Sequence, residues 1–350
     1  MCTNTQSIKA STTLSSKVGW VSMVVVELVA GAINWDTTVF VDSFPKAGEE
    51  VRARKVISVA GGKGANTAVA SARILGKGKV GLIGALGNDR IAEEQIRILD
   101  EEGVDTSCVK RFDHPSGQAY ILVDGRGENM ILTYKAVNDM LRPEVLDGDI
   151  FKEAIGEARV VVVIDPPLEF ALSLIEHARV GDDVSEGGKR IIWAPALLAR
   201  SGLNALMDGI SKVDYLVMNE SECLLLANTD DLMQGFKTLT RLGKRMILTR
   251  GSEGCLFYWN GKIASIPSVD LSAIGLNAVS AVGAGDAFLG VFTALLLKGY
   301  GELEALFMAN LAAALKVARE ETRASPYYDE LMRYVKDERI ERFYTGIKVL

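Results

Sequence analysis

The chain is poor in the residues that build disulfide frameworks, metal clusters and histidine-based catalysis. Its four cysteines, Cys2, Cys108, Cys223 and Cys255, are scattered and form no CxxC pair. That excludes a disulfide-stapled scaffold and a zinc ribbon, and fits a reducing, cytoplasmic setting. With only two histidines, His114 and His177, there is almost no material for a Ser-His-Asp triad or a multi-histidine metal site. Both read as surface or loop residues. Basic charge is not in excess either: 39 Lys and Arg against 45 Asp and Glu leave a formal net charge of −6, which argues against nucleic acid as a partner. The apolar run Met23 to Ile33 is interrupted by Glu27 and is far shorter than the ~20 residues of a membrane-spanning helix. It reads as a buried strand, and no membrane partner is expected. The Ser/Thr-rich stretch before it lacks the basic, apolar, small-residue order of a signal peptide, so residues 1–22 read as a disordered extension. No GxxxxGK[ST] sequence occurs, which excludes an ordinary P-loop kinase.

What is present is an α/β pattern. From about residue 60 onward, apolar runs alternate with amphipathic helical stretches such as Asp89–Glu102 and Leu168–His177, the signature of a mostly parallel sheet with helices on both faces. The runs Val80–Leu86, Val160–Ile164, Ile191–Trp193, Tyr215–Met218 and Met246–Leu248 are nearly continuous in apolar residues, as strands covered on both faces must be. Thr37–Val59 and Gly117–Ala136 alternate instead and have no helix between their pieces, so they predict a small antiparallel sheet placed as a lid. Cys255–Ile266 reads as a hairpin turned at Asn260-Gly261. Gly181–Lys189 reads as a surface loop, and the whole as one domain over residues 23–350 with lid segments at about 37–59 and 113–138.

Four segments carry candidate chemistry. In Gly283-Ala284-Gly285-Asp286, glycines enter an apolar helix. Converging N–H groups and the helix N-terminus suit a phosphoryl group, and a first-turn carboxylate can take a proton from an attacking hydroxyl; an Asp helix cap is the simpler alternative. In Gly61-Gly62-Lys63-Gly64-Ala65-Asn66, a glycine pair leads into a helix of small residues that can pack closely, with a charge and an amide on adjacent turns. Asn34 and Asp36 share one face of a strand end, with Trp35 opposite, and an amide beside a carboxylate suits vicinal hydroxyls. Asn219 and Glu222 lie three residues apart on one helical face, a spacing that suits a hydrated Mg2+ ion or, equally, a helix cap. Thr249-Arg250-Gly251-Ser252-Glu253-Gly254 follows a strand and offers small residues against which phosphates can lie.

In this order the segments resemble the PfkB sugar kinases from about Val24 to Pro326, and are most similar to ribokinase. Gly125-Arg126-Gly127-Glu128-Asn129 in the lid and Asn138 are in the same style. The resemblance implies a ribokinase-like α/β fold and ATP-dependent phosphorylation of a small sugar, D-ribose first, to ribose 5-phosphate. It implies Asp286 as general base and the amides of Gly283, Ala284 and Gly285 as anion hole. Asn34, Asp36, Gly62 and Asn66 would hold the sugar, with Gly61, Lys63 and Asp165 alongside. Asn219 and Glu222 would organise Mg2+ and its waters, Asn219, Thr249, Gly251 and Gly254 would meet the ATP phosphates, and Asn310 would lie near the adenine. A homodimer through the lid is implied as well.

The chain departs from the family at three places. Ser280, Ala281 and Val282 stand where an Asp and two Thr usually precede the Gly-Ala-Gly-Asp turn, and Asp165 stands for a sugar-contacting Glu. In related sugar kinases that Asp and a late Gly-Ala loop help hold a monovalent cation. Ser280 and Glu320-Glu321-Thr322-Arg323-Ala324-Ser325 replace both, so dependence on K+ is not expected. Arg323 itself reads as a solvated surface residue. Among the alternatives are a kinase for a nucleoside or another polyol, and a member of the fold that binds without turnover. A nicotinamide dehydrogenase is opposed by context, because Gly76-Lys77-Gly78-Lys79-Val80-Gly81 precedes a strand instead of following one.

Overall fold

The computed structural model describes residues 25–126, 128–180 and 188–349. The expected extension over residues 1–22 and most of the Gly181–Lys189 loop lie outside them.

The continuously apolar runs become the strands of an eleven-stranded sheet. From one edge, Val104–Asp105, Val80–Leu86, Glu27–Gly31, Val160–Ile164, Arg190–Ala194, Tyr215–Asn219 and Arg245–Thr249 pair in parallel in that order. Every residue of Val80–Leu86 and Val160–Ile164 is buried, because helices cover both faces. Helices Lys63–Leu75, Ala284–Leu297 and Glu302–Val317 build the core on one face. Leu168–Arg179, Leu203–Lys212 and Leu232–Thr240 build it on the other. The sheet continues in antiparallel fashion through the hairpin Cys255–Trp259 and Lys262–Ile266, turned as expected by Asn260 (φ 47°) and Gly261 (φ 80°). No helix among the described residues is long and apolar enough to cross a membrane.

The two alternating regions form a separate four-stranded sheet in the order Lys55–Gly61, Asn34–Phe40, Gly117–Val123, Asn129–Tyr134. Its outer pairs are antiparallel, but its central pair, Asn34–Phe40 with Gly117–Val123, is parallel, which corrects the expectation of a purely antiparallel sheet. The reason is connectivity. Between those two strands the chain passes through helix Lys63–Leu75 and strand Val80–Leu86 of the main sheet, a crossover long enough to bring it back in the same direction. The first main-sheet strand also stops at Gly31, so Asn34 opens this second sheet instead of ending the first strand. The shared face of Asn34 and Asp36 is retained, since both are buried while Trp35 is half-buried.

Glu27 sits on the central strand at 0% exposure. Its Oε1 accepts from the hydroxyls of Ser71 (2.9 Å) and Thr293 (2.6 Å), tying helix Lys63–Leu75 to helix Ala284–Leu297, while Oε2 has no hydrogen-bond partner. Burial pushes its carboxyl up to about 7, against the smaller opposing effect of the two hydroxyls. Because the unfolded carboxyl ionises near 4.5, folding takes up a proton between about pH 4.5 and pH 7, so this group lowers stability as pH rises through that window. The difference corresponds to ~3 kcal/mol. Glu27→Gln should flatten that part of the stability curve, measured by urea unfolding at pH 5 and pH 8. An unchanged pH dependence would show that Glu27 ionises freely.

Candidate active site

Gly283 caps helix Ala284–Leu297 in the left-handed region (φ 82°), and a Cβ there would lie 2.3 Å from the carbonyl oxygen of Thr322. Glycine is required both by dihedral and by the close approach of the 319–326 loop. The Ala284 N–H turns back to the Ala281 carbonyl (3.2 Å) and the Ala287 N–H to Gly283 (3.0 Å). Among the described residues the N–H groups of Gly285 and Asp286 have no main-chain partner, as the first turn of a helix dictates, and the space beside Gly285 is open. Of the three amides expected to form an anion hole, Ala284 is therefore already engaged, while the Gly283 N–H, like those of Gly285 and Asp286, has no main-chain partner among the described residues.

The Asp286 side chain is 7% exposed, and its Oδ2 accepts from Asn66 Nδ2 at 2.9 Å. Asn66 reaches it because helices Lys63–Leu75 and Ala284–Leu297 pack at glycine distance: a Cβ on Gly290 would meet the Thr67 carbonyl oxygen at 2.4 Å. The end of strand Glu27–Gly31 comes as close to the first helix, since a Cβ on Gly64 would meet the Cα of Gly31 at 2.6 Å. The glycine pair before the first helix seats the acidic strand. A Cβ on Gly61 would fall 2.0 Å from Asp36 Oδ2, and one on Gly62 (φ 93°) 2.4 Å from the Asn34 nitrogen. Asn34 Oδ1 accepts from Asn138 Nδ2 (2.9 Å), and Asn138 bonds both main-chain groups of Ile33. Asn34, Asp36, Gly61, Gly62, Asn66, Asn138 and Asp286 are thus brought together as one cluster.

Arg323 is buried against that cluster, contrary to its expected place on the surface. It is 8% exposed, donating to Asn66 Oδ1 (3.1 Å), the Gly61 carbonyl (2.8 Å) and Gln95 Oε1 (3.2 Å). A guanidinium only donates. The Asn66 oxygen must face it, which leaves the Asn66 amide nitrogen to hold Asp286. Burial lowers the Arg323 guanidinium to about 10, opposed chiefly by the charge of Asp36. Asp36 is itself pushed up to about 7, first by burial and then by the charge of Asp286, while Arg323 and Lys63 hold it down. The negative charge of Asp286, ahead of Asp165, Glu222 and Asp36, holds the Lys63 ammonium above its ordinary value against desolvation. Asp165 (φ 58°) lies with the Lys135 ammonium 3.6 Å from its Oδ1.

On the other side of the glycine turn lies a cavity of about 780 Å3, lined in part by Thr249, Gly251, Gly254 and Asn310 and reaching Ala284 and Gly285. Its size is that of a nucleotide or cofactor site. Phe288, Val317 and Leu276 supply apolar walls suited to a planar base. Asn310 donates to the carbonyls of Ile266 and Pro267 (both 3.2 Å), which fixes the far wall. Asn219 and Glu222 form a capping box: Asn219 Oδ1 accepts from the Glu222 N–H (2.9 Å), and the Glu222 carboxylate accepts from the Asn219 main-chain N–H (3.1 Å) and side-chain amide (2.9 Å). No group of three or more metal-binding side chains occurs among the described residues. The chain would offer Mg2+ one or two oxygens, which fits an ion that keeps several waters and takes the rest from phosphates. Burial raises the Glu222 carboxyl, and the charges of Asp165 and Asp286 raise it further, while the Asn219 N–H and Lys63 oppose this. Such a carboxylate would be relieved by a cation.

The sequence profile of the pfkB family carbohydrate kinases matches residues 28–327. The chain belongs to that family. This sugar kinase, a ribokinase-like phosphotransferase, is 31% identical over 317 residues to a deoxyribokinase of Salmonella typhi, covering 88% of this chain and 97% of the relative. It is 30% identical over 293 residues to a ribokinase of Lactococcus lactis, covering 83% and 90%. Among solved structures, a ribokinase from Cryptococcus neoformans in complex with ADP superposes with a TM-score of 0.73 at 26% identity, covering 89% of the kinase and 99% of that chain. Three features of the kinase escaped the sequence reading: Gln95, which also donates to the Asn34 carbonyl (2.5 Å), Gly290 at the helix crossing, and the inward course of Arg323. The one visible signal was Gln95 on the apolar side of an amphipathic helix, fully buried with Ala92 and Leu99.

Proposed function

We propose that this kinase transfers the terminal phosphoryl group of ATP to D-ribose, giving ribose 5-phosphate. The observation that carries the reading is the position of Asp286. Its carboxylate stands at the glycine turn between the polar cluster that holds Asn34 and Asp36 and a nucleotide-sized cavity that reaches Gly285. Asp36, Asn34 and the Gly61–Gly62 main chain orient the sugar. Asn66 occupies Asp286 Oδ2, which leaves Oδ1 to accept the proton of the attacking hydroxyl. The free N–H groups of Gly285 and Asp286 and the helix N-terminus face the charge that develops on the transferring group. Lys63, bound electrostatically to the same carboxylates, balances their charge beside the acceptor. Asn219 and Glu222 are the residues that would hold Mg2+, which neutralises the phosphate oxygens when bound.

A second acceptor, 2-deoxyribose, is favoured by the deoxyribokinase among the relatives. The two differ by one hydroxyl, and a site built to bond that hydroxyl rejects the analogue lacking it strongly. The test is kcat/KM with ATP and Mg2+ across ribose, 2-deoxyribose, fructose and a purine nucleoside. Ribose should lead. A nucleoside preferred by tenfold or more would overturn the reading.

The reading extends to a cytoplasmic homodimer joined through the four-stranded sheet, which would act as a lid. Tyr120, Met130, Leu132 and Tyr134 are exposed on it, and Tyr120 pairs opposite Leu132 on one face. Among the described residues Asn129–Tyr134 leaves an unpaired edge, so the apolar patch and the edge together favour a second copy. Tyr120→Asp should shift sedimentation from dimer to monomer. A wild-type monomer at micromolar concentration would exclude this assembly.

A further inference from the structure

Helix Glu302–Val317 is covered by core side chains over most of its length, yet it carries a lysine in its last turn, Lys316, at 0% exposure. Its Nζ donates to the carbonyl of Ser280 at 2.9 Å and reaches that of Arg319 at 3.5 Å. Those carbonyls belong to the two loops that enclose the glycine turn. Ser280 lies three residues before Gly283, while Arg319 opens the loop whose Thr322 carbonyl presses on Gly283 and whose Arg323 orients Asn66. Arg319 itself is engaged elsewhere, with Glu330 and the Ala324 carbonyl. Among the described residues no carboxylate lies within ion-pair distance of Lys316. A buried ammonium without a counter-ion is costly. The anion that acts on it most is Asp286.

We propose that Lys316 is a positioning residue: a tethered cation that fixes the two loops around the glycine turn and keeps positive charge where a phosphoryl group passes, so that turnover needs no monovalent cation from solution. This rests on the phosphoryl-transfer reading with Asp286 at the turn. Transfer spreads negative charge over oxygens facing the Gly285 and Asp286 amides, and a fixed ammonium one loop away stabilises that charge without reorganisation. Burial brings the ammonium down to about 8, with Asp286 opposing and Arg319 reinforcing the shift. The charge is therefore present below pH 8 and is lost as pH rises through it.

Cation rescue separates this role from a merely structural tie. The rates of wild type and of Lys316→Ala and Lys316→Met are measured with saturating ATP, Mg2+ and sugar at constant ionic strength, in tetramethylammonium, potassium or ammonium chloride. Wild type should vary less than twofold among the salts. Both variants should lose kcat, on the order of 10²-fold as for removal of one electrostatic stabiliser, with sugar KM changed less than threefold. Lys316→Ala opens a space lined by two carbonyls and should regain at least tenfold with potassium or ammonium. Lys316→Met fills that space and should not. At pH 9, wild type should slow while Lys316→Ala with potassium, a cation that has no proton to lose, holds its rate. A tenfold stimulation of wild type by potassium, a Lys316→Ala rate within threefold of wild type, or a folded but slow alanine variant that no cation restores would each overturn the inference. Failure of the kinase reading would show instead in the wild type, as no turnover of any sugar.

Discussion

Asp286→Asn should reduce kcat by ~10²–10⁴-fold, the usual cost of losing a general base, while KM for sugar and ATP stays within a few-fold. The substitution is nearly isosteric, and the helix turn that places the side chain is set by Gly283 and the 319–326 loop, not by the carboxylate. An asparagine oxygen can still accept from Asn66 Nδ2, so the cluster keeps its shape. A second readout is independent of turnover. Because the charge of Asp286 is the leading electrostatic cause of the raised Asp36 carboxyl, the variant should titrate Asp36 at lower pH, visible in the pH dependence of sugar binding by calorimetry. A rate within threefold of wild type would remove Asp286 from the chemistry.

Sugar use should depend on pH through Asp36, and Asp36→Asn should abolish that dependence. The Asp36 carboxyl is pushed up to about 7 by burial and by Asp286, with Arg323 and Lys63 opposing. Below that value it is protonated and accepts weakly; above it, it is a charged acceptor for two hydroxyls. Sugar kcat/KM should therefore rise roughly tenfold between pH 6 and pH 8, as the ionised fraction does for a group titrating at the midpoint. Hydrogen bonds to a charged group contribute ~1.5–3 kcal/mol each. Asp36→Asn keeps one acceptor oxygen but loses the charge and the second acceptor, so kcat/KM at pH 8 should fall on the order of 10–10²-fold, with KM for ATP unchanged. Lost ATP affinity with normal sugar affinity would mean that the acceptor and nucleotide sites have been exchanged.

Local pattern carried much of the fold. Val80–Leu86 and Val160–Ile164 form strands with the limits their apolar runs predict, because burial on both faces demands unbroken apolar sequence. The Asn260-Gly261 turn and the shared face of Asn34 and Asp36 follow from dihedral preference and strand period alone. The parallel pairing inside the small sheet was not legible, since it depends on where the chain has travelled between two strands more than seventy residues apart at their starts. Arg323 was misjudged for a related reason. A loop arginine in an acidic run looks solvated, and only the convergence of Gly61, Asn66 and Gln95 from distant segments gives it enough acceptors to be buried. Lys316 looks like an ordinary lysine at a helix C-terminus, where cations are favoured in any case. Its burial between Ser280 and Arg319 is set by how two loops close. Asn219 and Glu222 form the helix cap that was one of the two readings of their spacing, because an amide and a carboxylate three residues apart satisfy each other's main-chain N–H groups.

The most direct measurement is NMR identification of the product formed from D-ribose by the purified protein with ATP and Mg2+. A single new phosphate ester on C5, appearing in step with ADP and absent in Asp286→Asn, is the predicted result. ADP formed with no phosphorylated sugar, or a ribose ester formed equally fast by Asp286→Asn, would contradict the account.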